Sequence, residues 1–327
     1  MLIDAYGRKI DYLRISVTDR CNLRCIYCMT AKGILHKPQK EILLFEEIFK
    51  IVSVFAKLGI KKIRITGGEP LVRKDLHLLI KKLRSIEKLK EICLTTNGIY
   101  LSDYAYPLKI AGLDRVNISL DTLVLEKFKN ITRDGNLERV LKGIESAFLV
   151  GLTPVKINIV LIKRFNDDEI LNFAKLTKDK PIHVRFIEYM PTNLSYIPWK
   201  NSFFSAIKAK NICDRLGKLN PVENASDGVA KVFRIEDFCG TIGFISAITE
   251  PFCSSCNKLR LTADGRLKSC LYSSKMIELK GILKKGTEHD LTKLIKEVVI
   301  LKLKAHSLLK SPVISEIESF SMCQIGG

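Results

Sequence analysis

The sequence predicts an α/β fold, an open and incomplete (β/α)6 barrel followed by a C-terminal segment. Three observations support this prediction. Six strand-like runs alternate with amphipathic helical stretches, one parity of the strand positions is polar, and the alternation stops near Tyr196. A complete barrel of this kind has eight units, so six units leave one side open.

The predicted strands are short runs separated by stretches long enough to hold a helix. They cover residues 12–17, 62–66, 92–96, 115–120, 155–160 and 183–189. Apolar residues at helical spacing predict helices over 46–58, 75–86 and 137–149. Strands joined through helices favour a parallel sheet. An antiparallel sheet with one wet face would give a similar alternation, but the helices between the strands argue against it.

Polar side chains occupy the same parity on every predicted strand, while Val, Ile and Leu occupy the other. We expect the apolar parity to face the helices and the polar parity to line a wide, partly cationic interior that can hold a large charged ligand. The polar positions are Arg14, Ser16, Arg64, Thr66, Thr95, Asn97, Asn117, Ser119, Lys156, Asn158, His183 and Arg185.

The chain changes character after the sixth strand. Pro198, Pro221 and the polar run 224–228 are typical of a domain boundary. We therefore expect a barrel domain over 1–225 and a C-terminal domain over 226–327.

Cys21, Cys25 and Cys28, here called the first triplet, follow the first strand with the spacing C-x3-C-x2-C. Three cysteines on a four-iron, four-sulfur cube leave one iron without a protein ligand, and chemistry can occur there. A zinc site would need a fourth ligand, for which His36 is the nearest candidate. A redox C-x2-C pair is a further alternative, but it gives Cys21 no role.

Glycine and hydroxyl residues follow the next strands. Gly67 and Gly68, in the run Thr-Gly-Gly-Glu-Pro, would let the backbone approach a ligand. The segments 95–98 and 117–121 place hydroxyls and amides at the ends of the following strands. Barrel enzymes keep their active sites at this end of the sheet, so we expect a binding site there.

Cys253, Cys256 and Cys270, here called the second triplet, repeat the use of three cysteines with the spacing C-x2-C-x13-C. A second cube with an open iron fits this number of ligands. A zinc site stays open as an alternative, with Cys239, Cys323 or His289 as the fourth ligand. Of the remaining cysteines, Cys93 is expected to be a small buried apolar residue, and Cys213, Cys239 and Cys323 have no ligand spacing.

Composition limits the choice of partners and compartment. Lys and Arg number 54 against 35 Asp and Glu, which gives a net charge of +19 and favours anionic partners. The lysines are spread along helical faces without interleaved aromatic residues, so nucleic acid is not expected. Ten cysteines without a secretory leader or an apolar membrane span indicate metal or redox use in a cytoplasmic protein.

Taken together, these motifs resemble the radical S-adenosylmethionine (radical SAM) GTP 3',8-cyclases of the MoaA type, which act in molybdenum cofactor biosynthesis. The likeness runs from the strand before the first triplet, through the Gly-Gly-Glu-Pro loop and the second triplet, to the closing Gly326-Gly327. It implies an incomplete TIM-like (β/α)6 barrel whose opening is closed by a C-terminal segment carrying an auxiliary cluster.

The resemblance also implies a set of site residues. Cys21, Cys25 and Cys28 would hold the cluster that cleaves S-adenosylmethionine, and Cys253, Cys256 and Cys270 would hold the auxiliary cluster that receives the guanine of GTP. The implied contacts of S-adenosylmethionine are Tyr27, Gly68, Ser119 and Met190. The implied contacts of GTP are Arg14, Arg64, Thr95, Lys156, Lys258, Leu259 and Arg260, with Lys62 as a further triphosphate candidate. Arg260, Gly326 and Gly327 are the implied catalytic residues.

The implied reaction converts GTP to (8S)-3',8-cyclo-7,8-dihydroguanosine 5'-triphosphate with two 4Fe-4S clusters and S-adenosylmethionine as cofactors. The implied partners are a reductant protein as electron donor and the next enzyme of the pathway as product acceptor, and a homodimer is allowed. The chain departs from the usual family pattern at Lys258, where Arg is common, and at Arg164, where Gly is common.

Two other functions remain open on the sequence. Another radical SAM enzyme with an auxiliary cluster, such as a peptide maturase, would share the first triplet, although such enzymes typically carry more C-terminal cysteines. A zinc and nucleic-acid binding module would agree with the net charge. GTP binding and visible iron-sulfur absorption discriminate among these possibilities.

Overall fold

A twelve-stranded mixed sheet organises the computed structural model, which describes residues 1–133, 135–191, 197–223, 228–273, 275–306 and 322–326. A separate two-stranded hairpin precedes it at the N-terminus. The strands are β1 Leu2–Ile3, β2 Lys9–Ile10, β3 Tyr12–Ser16, β4 Lys62–Thr66, β5 Glu91–Thr96, β6 Arg115–Ser119, β7 Lys156–Leu161, β8 His183–Glu188, β9 Leu219–Pro221, β10 Lys231–Ile235, β11 Thr241–Ile245, β12 Lys258–Leu261, β13 Arg266–Lys268 and β14 Met276–Glu278.

The six strands β3 to β8 are the predicted ones, and each observed end lies within one residue of its predicted position. They pair in parallel in chain order, as in a (β/α) barrel. The prediction of a partial parallel barrel is therefore confirmed.

Most of the helices lie on the outer face of the sheet, whereas the last one belongs to the C-terminal tail in the barrel interior. They are α1 Phe45–Lys57, α2 Leu76–Arg84, α3 Leu101–Ile110, α4 Leu125–Thr132, α5 Leu137–Leu149, α6 Ile170–Lys175, α7 Trp199–Ser202, α8 Ala206–Cys213, α9 Lys280–Lys285, α10 Glu288–Ile300 and α11 Met322–Ile325. None of these helices is both long and apolar enough to cross a bilayer, a finding that covers the described residues.

Amphipathic spacing explains why these helices form where they do. In α1, Ile48, Ile51, Val52 and Phe55 are all fully buried against the sheet. The helix begins where the Glu47 carboxylate accepts a hydrogen bond from the Leu44 amide at 2.7 Å, which satisfies one of the unpaired donors of the first turn. The apolar strand parity meets this face, so the main core lies between sheet and helices.

The C-terminal part extends the barrel sheet at both edges. β11 pairs in parallel with β8, and β12 pairs in parallel with β3, with Lys258 opposite Tyr12 and Arg260 opposite Arg14. The end of the regular βα alternation was predicted correctly, but the later strands join the same sheet. The predicted domain boundary between 225 and 226 lies outside the described residues.

Candidate active site

The first triplet lies in the loop that follows the C-terminal end of β3. The Arg24 amide donates to the Thr132 carbonyl at 3.0 Å, and the Ile26 amide donates to the Ile131 carbonyl at 2.9 Å, so the end of α4 anchors the loop. The amides of Cys28 and Met29 donate to the Cys25 carbonyl and form a tight turn. These contacts hold the three thiols on one short, curved segment.

Burial dominates the electrostatics of the first triplet. It raises the pKa of Cys21 to about 12, and the nearby Glu69 carboxyl adds to the increase. The pKa of Cys25 is also raised by burial and then by Asp121 and Cys21. Thiolates at these positions therefore need a positively charged partner, which the iron core of a cluster supplies.

Gly67 and Gly68 pack directly on the backbone that precedes the first triplet. A Cβ atom at Gly68 would lie 2.3 Å from the carbonyl oxygen of Arg20, and one at Gly67 would lie 2.7 Å from that of Thr18. The Gly68 amide donates to the Thr18 carbonyl at 2.8 Å. Close contact between two backbone segments therefore explains both glycines, in addition to the access for a ligand that the sequence suggested.

Glu69 is a buried carboxyl beside the first triplet that sequence reasoning did not select. It accepts hydrogen bonds from the Thr96 hydroxyl at 2.7 Å, the Asn97 amide at 2.7 Å and the Leu71 amide at 3.0 Å. Burial nevertheless raises its pKa to about 7. The sequence could have indicated Glu69 through its place in the Gly-Gly-Glu-Pro run.

The four predicted contacts of S-adenosylmethionine lie around the same end of the barrel. Gly68 and Ser119 follow or end their strands, and Met190 comes two residues after β8. The Tyr27 hydroxyl donates to the Asp121 carboxylate at 2.6 Å. Burial raises the pKa of Asp121 to about 6, while the hydrogen bonds from Tyr27 and the Val160 amide lower it.

The second triplet lies at the opposite end of the sheet. Cys256 comes just before the first residue of β12, and Cys270 comes just after β13, whose last residue Lys268 pairs with Arg260. Because β12 runs parallel to β3, the start of β12 and the end of β3 lie at opposite ends of the barrel. A five-residue strand spans roughly 15 Å, which sets the scale of the interior between the triplets.

Cations surround the second triplet. The pKa of Cys256 is lowered: burial alone would raise it, but Lys302 and Lys258 outweigh that effect. The pKa of Cys253 is raised by burial and by the neighbouring Cys270 and Cys256. Cys270 and Cys256 are close enough to Cys253 to influence its pKa, so the second triplet lies in one region of the structure.

None of the fourth ligands considered for zinc lies at the second triplet. Cys239 and His289 are exposed, and Cys323 lies at the first triplet. Across the described ranges, no three His, Cys, Asp or Glu side chains converge as ligands of a single metal ion do. A four-iron cube carries each thiolate on a different iron, so its cysteines stand further apart than ligands of one ion. The donor chemistry of both triplets fits such a cube.

The C-terminal tail lies between the two triplets. The Cys323 thiol, which has no ligand spacing in the sequence, is buried and lies beside the Cys28 thiol. Three residues later, the Gly326 carbonyl accepts hydrogen bonds from Arg260 at 2.5 Å and from Arg14 at 3.4 Å. Gly327 lies outside the described residues.

Gly326 occupies a position that no other residue can take without rearrangement. Its φ is +73°, and an added Cβ atom would lie 2.0 Å from the Thr66 hydroxyl oxygen. The packing explains why this position holds glycine, while the catalytic role implied for Gly326 stays a prediction.

The polar strand parity lines the interior, as predicted. Arg64 donates to the Thr95 hydroxyl at 3.2 Å, and both residues belonged to the predicted nucleotide contacts. Burial and then Arg185 and Arg115 lower the pKa of Lys156 to about 5. Burial and then Arg260 lower the pKa of Arg14 to about 9. So many cations in one interior require an anionic ligand to offset their repulsion.

The Lys258 side chain points into this interior, and no hydrogen bond from the described residues compensates its charge. Its Nζ atom is buried, has no hydrogen-bond partner among the described residues, and lies 5.5 Å from the Tyr12 ring centre and 5.7 Å from that of Phe252. Burial lowers its pKa to about 8. This arrangement agrees with the prediction that Lys258 contacts a ligand.

Two predicted contacts of the nucleotide have neighbours that the sequence did not predict. Lys62 forms an ion pair with Glu91 at 2.6 Å, and Glu91 also pairs with Arg115, so two cations share one carboxylate. The Leu259 side chain is fully buried in the core with Leu13, which leaves only its backbone for the nucleotide. Strand parity explains the second difference, since Leu259 lies between two inward-facing residues.

Sequence reasoning missed several residues that face the interior. Tyr12 accepts a hydrogen bond from Arg64, and Arg115 pairs with Glu91. Cys93 is buried as expected, but its thiol donates to the Glu91 carboxylate at 3.1 Å and is not part of the apolar core. All of them share the inward parity, which was the signal that could have found them.

Comparison with known proteins identifies the class first. Residues 15–177 match the family model of the radical SAM superfamily, and residues 182–308 match that of Molybdenum Cofactor Synthesis C. Streptococcus suis SuiB bound to precursor peptide SuiA has a similar fold, with a TM-score of 0.59 at 16% identity over 98% of this chain and 77% of that chain. SuiB bound to S-adenosylmethionine gives a TM-score of 0.58 at 17% identity over 88% of this chain and 68% of that chain. The open barrel and the first triplet are thus those of a radical SAM enzyme, which implies a 4Fe-4S cluster and S-adenosylmethionine.

Full-length relatives then identify the particular family. The chain is 48% identical to the GTP 3',8-cyclase of Petrotoga mobilis over the whole of both proteins. It is also 48% identical to the GTP 3',8-cyclase of Peptoclostridium acidaminophilum, over 100% of this chain and 98% of that protein. The chain belongs to the GTP 3',8-cyclase family.

Proposed function

We propose that the protein converts GTP to (8S)-3',8-cyclo-7,8-dihydroguanosine 5'-triphosphate in molybdenum cofactor biosynthesis. The observation that carries this proposal is the placement of two cysteine triplets at opposite ends of one cationic barrel interior. A nucleoside triphosphate matches this interior because it offers a purine at one end and several negative charges along its length.

The first triplet would hold the cluster that binds S-adenosylmethionine, with Tyr27, Gly68, Ser119 and Met190 around the cofactor. When bound, the cluster and S-adenosylmethionine supply the 5'-deoxyadenosyl radical that removes the hydrogen atom from C3' of the GTP ribose. The buried hydrogen bond from Tyr27 to Asp121 supports this placement because it fixes the Tyr27 ring beside the thiols.

The second triplet would hold an auxiliary 4Fe-4S cluster that receives the guanine. Three considerations support this assignment, namely the number of cysteines, the cationic surroundings and the absence of a fourth protein ligand among the candidates weighed for zinc. The guanine would then lie near Lys258 and Arg260, which extend from the start of β12 into the interior.

The chain itself would hold the nucleotide at both ends so that C8 stays close to C3'. Arg14, Arg64, Thr95 and Lys156 lie on adjacent strands of the interior and can bind the phosphates and ribose. Arg260 and the tail carbonyl of Gly326 would close the cavity against water. Fixed geometry and exclusion of solvent let ring closure compete with quenching.

The reaction needs an electron from outside the chain, so we propose a reductant protein as donor and the next enzyme of the pathway as acceptor of the product. We place the reaction in the cytoplasm, since GTP and reduced iron-sulfur clusters occur together there. Membership of the family argues against the peptide maturase and the nucleic-acid binding module that the sequence left open.

The direct test is anaerobic incubation of the reconstituted protein with GTP, S-adenosylmethionine and a reductant. Mass spectrometry should detect 5'-deoxyadenosine and a cyclised nucleotide of unchanged mass relative to GTP. Reconstitution should give about eight irons per chain if two cubes form. A preparation that saturates near four irons and binds zinc would contradict the two-cluster assignment.

Cysteine variants of each triplet distinguish the cluster that cleaves S-adenosylmethionine from the cluster that binds the guanine. Replacing Cys21, Cys25 and Cys28 by Ala should abolish 5'-deoxyadenosine formation. Replacing Cys253, Cys256 and Cys270 by Ala should stop GTP cyclisation but leave slow cleavage of S-adenosylmethionine. Cyclised product from the second variant would overturn the role given to the auxiliary cluster.

A further inference from the structure

Lys302 is a buried cation that no predicted role uses. It follows the end of α10 and is 3% exposed. Within the described part of the chain it forms no ion pair with a carboxylate. A buried ammonium is costly unless its charge is compensated, so its partners indicate why it is there.

The hydrogen bonds of Lys302 lead to the second triplet. Its Nζ atom donates to the Ser269 carbonyl at 2.7 Å and to the Lys258 carbonyl at 2.8 Å. Ser269 directly precedes Cys270, and Lys258 comes two residues after Cys256. The ammonium therefore lies between the two chain segments that carry these cysteines.

The charge of the ammonium acts on a cysteine. Lys302 is the strongest of the influences that favour the Cys256 thiolate, and its positive charge lowers the pKa of that thiol against the effect of burial. Two backbone carbonyls take two of the three N–H groups that a lysine offers, which leaves one for a further acceptor. No carboxylate among the described residues pairs with Lys302, so the Cys256 thiolate is the anion that its charge compensates.

The segment 302–306 also approaches Cys253. The His306 amide opposes the rise that burial causes in the pKa of Cys253, and the His306 ring lies 3.1 Å from the Ala247 carbonyl through Nε2. Arg8 holds the segment in place by donating to the Leu303 carbonyl at 2.7 Å and to the Cys253 carbonyl at 2.6 Å. One short segment therefore lies near two of the three cysteines.

We propose that Lys302 is a positioning residue that raises the reduction potential of the auxiliary cluster through the positive charge that it holds between the segments of Cys256 and Cys270. Hydrogen bonds to ligating sulfur and nearby positive charge stabilise the more negative, reduced form of a cluster. This inference rests on the proposed auxiliary cluster. Its consequence is that the second triplet holds the more easily reduced of the two clusters.

The test isolates the auxiliary cluster. In a parent variant with Cys21, Cys25 and Cys28 replaced by Ala, anaerobic reconstitution should load about four irons per chain. Lys302→Met in this parent removes the charge and the donor, Lys302→Gln keeps a neutral donor, and Lys302→Arg keeps the charge. The midpoint potential is measured by redox titration with detection of the reduced cluster by electron paramagnetic resonance.

We expect the ratio of oxidised to reduced cluster at a fixed potential to rise about tenfold in Lys302→Met, which equals about 59 mV for one electron. Lys302→Gln should show a smaller shift in the same direction, and Lys302→Arg should stay near the parent. Lys304→Met is the matched control, because it removes an exposed lysine from the same segment and should leave the midpoint unchanged.

An unchanged midpoint in a fully loaded Lys302→Met variant would overturn the inference while leaving the auxiliary cluster in place. Loss of cluster assembly in both neutral variants, with assembly retained in the parent, would assign Lys302 a purely structural role and would also overturn it. If the parent itself binds no cluster, the auxiliary cluster and the inference fall together.

Discussion

Around the first triplet, the strongest ionisable neighbours of Cys21 and Cys25 outside the triplet are the carboxyls of Glu69 and Asp121. Around the second triplet, Lys302 and Lys258 take the corresponding places at Cys256. Arg24 and Arg133 oppose the carboxyls at the first triplet, but their influence is weaker. The same set of three thiols is therefore placed in anionic surroundings at one end of the barrel and in cationic surroundings at the other.

The number of cysteines therefore does not determine what a cluster can do. Negative charge near the first triplet destabilises a reduced cluster and makes it a stronger electron donor, as cleavage of S-adenosylmethionine requires. In the proposed function, positive charge near the second triplet would favour binding of the purine and of the phosphates beyond it.

Gly326→Ala should have the largest effect on turnover, because it disturbs the tail that lies between the two triplets. The added methyl group would collide with Thr66 and displace the tail carbonyl from Arg260. We expect turnover to fall by at least about 100-fold, since loss of one well-placed polar contact in an active site costs roughly that much. Product formation is measured by mass spectrometry alongside iron content, which should be unchanged.

Gly281→Ala is the control for this change, because a Cβ atom there meets no atom within 4 Å. Deleting residues 326 and 327 together should abolish cyclisation in the same way. Normal turnover after either change at Gly326 would show that the tail has no part in the reaction.

Variants of Lys258 test the cationic surroundings of the second triplet. Lys258→Met should weaken GTP binding by roughly 10- to 100-fold, because a charge-assisted hydrogen bond contributes about 1.5–3 kcal/mol. Lys258→Arg should bind GTP equally well or better, since the guanidinium can form a bidentate contact. Calorimetric titration with GTP measures both, and a large loss in Lys258→Arg would mean that the pocket is adapted to lysine.

A variant of Glu69 tests the anionic surroundings of the first triplet. Glu69→Gln removes a buried negative charge and should raise the potential of the first cluster by about 50–100 mV, the effect of one charge at intermediate range in a medium of effective dielectric near 20. The measurement is a redox titration at pH 8, above the raised pKa of about 7. Both proteins lack the second triplet, so that only the first cluster is titrated. An equal potential with and without Glu69→Gln would mean that the charge of Glu69 does not influence this cluster.

The pH dependence of GTP binding provides a further test of the cationic interior. Lys156 has a folded pKa of about 5, so it is neutral in the empty site at pH 7, and bound phosphates should raise that pKa again. Binding then takes up a proton, and affinity should fall as pH rises. We expect GTP to bind about tenfold more weakly at pH 9 than at pH 7.

Lys258, with a pKa of about 8, adds to this fall in the same direction. Lys156→Met should therefore reduce the slope without removing it. Calorimetry in buffers of different ionisation enthalpy measures the proton uptake directly, and proton release on binding would contradict the argument.

The smallest expected effect is on the stability of the fold, at a residue that belongs to neither triplet. Arg164 adopts a φ of +62°, in the region that glycine occupies with little strain. Arg164→Gly should stabilise the protein by about 0.5–1 kcal/mol, the left-handed strain less the entropy that glycine gains on unfolding. Thermal unfolding should show the gain, while both cluster potentials stay unchanged.

Local patterns predicted much of the barrel and of the site. The six strands follow from β-branched runs with turn residues at their ends, and the inward parity of Arg14, Arg64 and Lys156 follows from the two-residue period of a strand. The surroundings of Leu259 and Lys62 were not predicted, since the Leu259 side chain faces the core and Lys62 is paired with Glu91. Glu91 lies 29 residues after Lys62 in the chain, and only strand pairing brings them together.

By itself the sequence determined the order of the six barrel strands, the two groups of thiols and the cationic strand faces, because each depends on residues close together in the chain. Tertiary structure decided that β12 joins the edge of β3 and so sets the triplets at opposite ends of one interior. It also decided that Cys323 meets Cys28 and that Lys302 meets Cys256. These contacts join residues separated by tens to hundreds of positions, and no local periodicity encodes them.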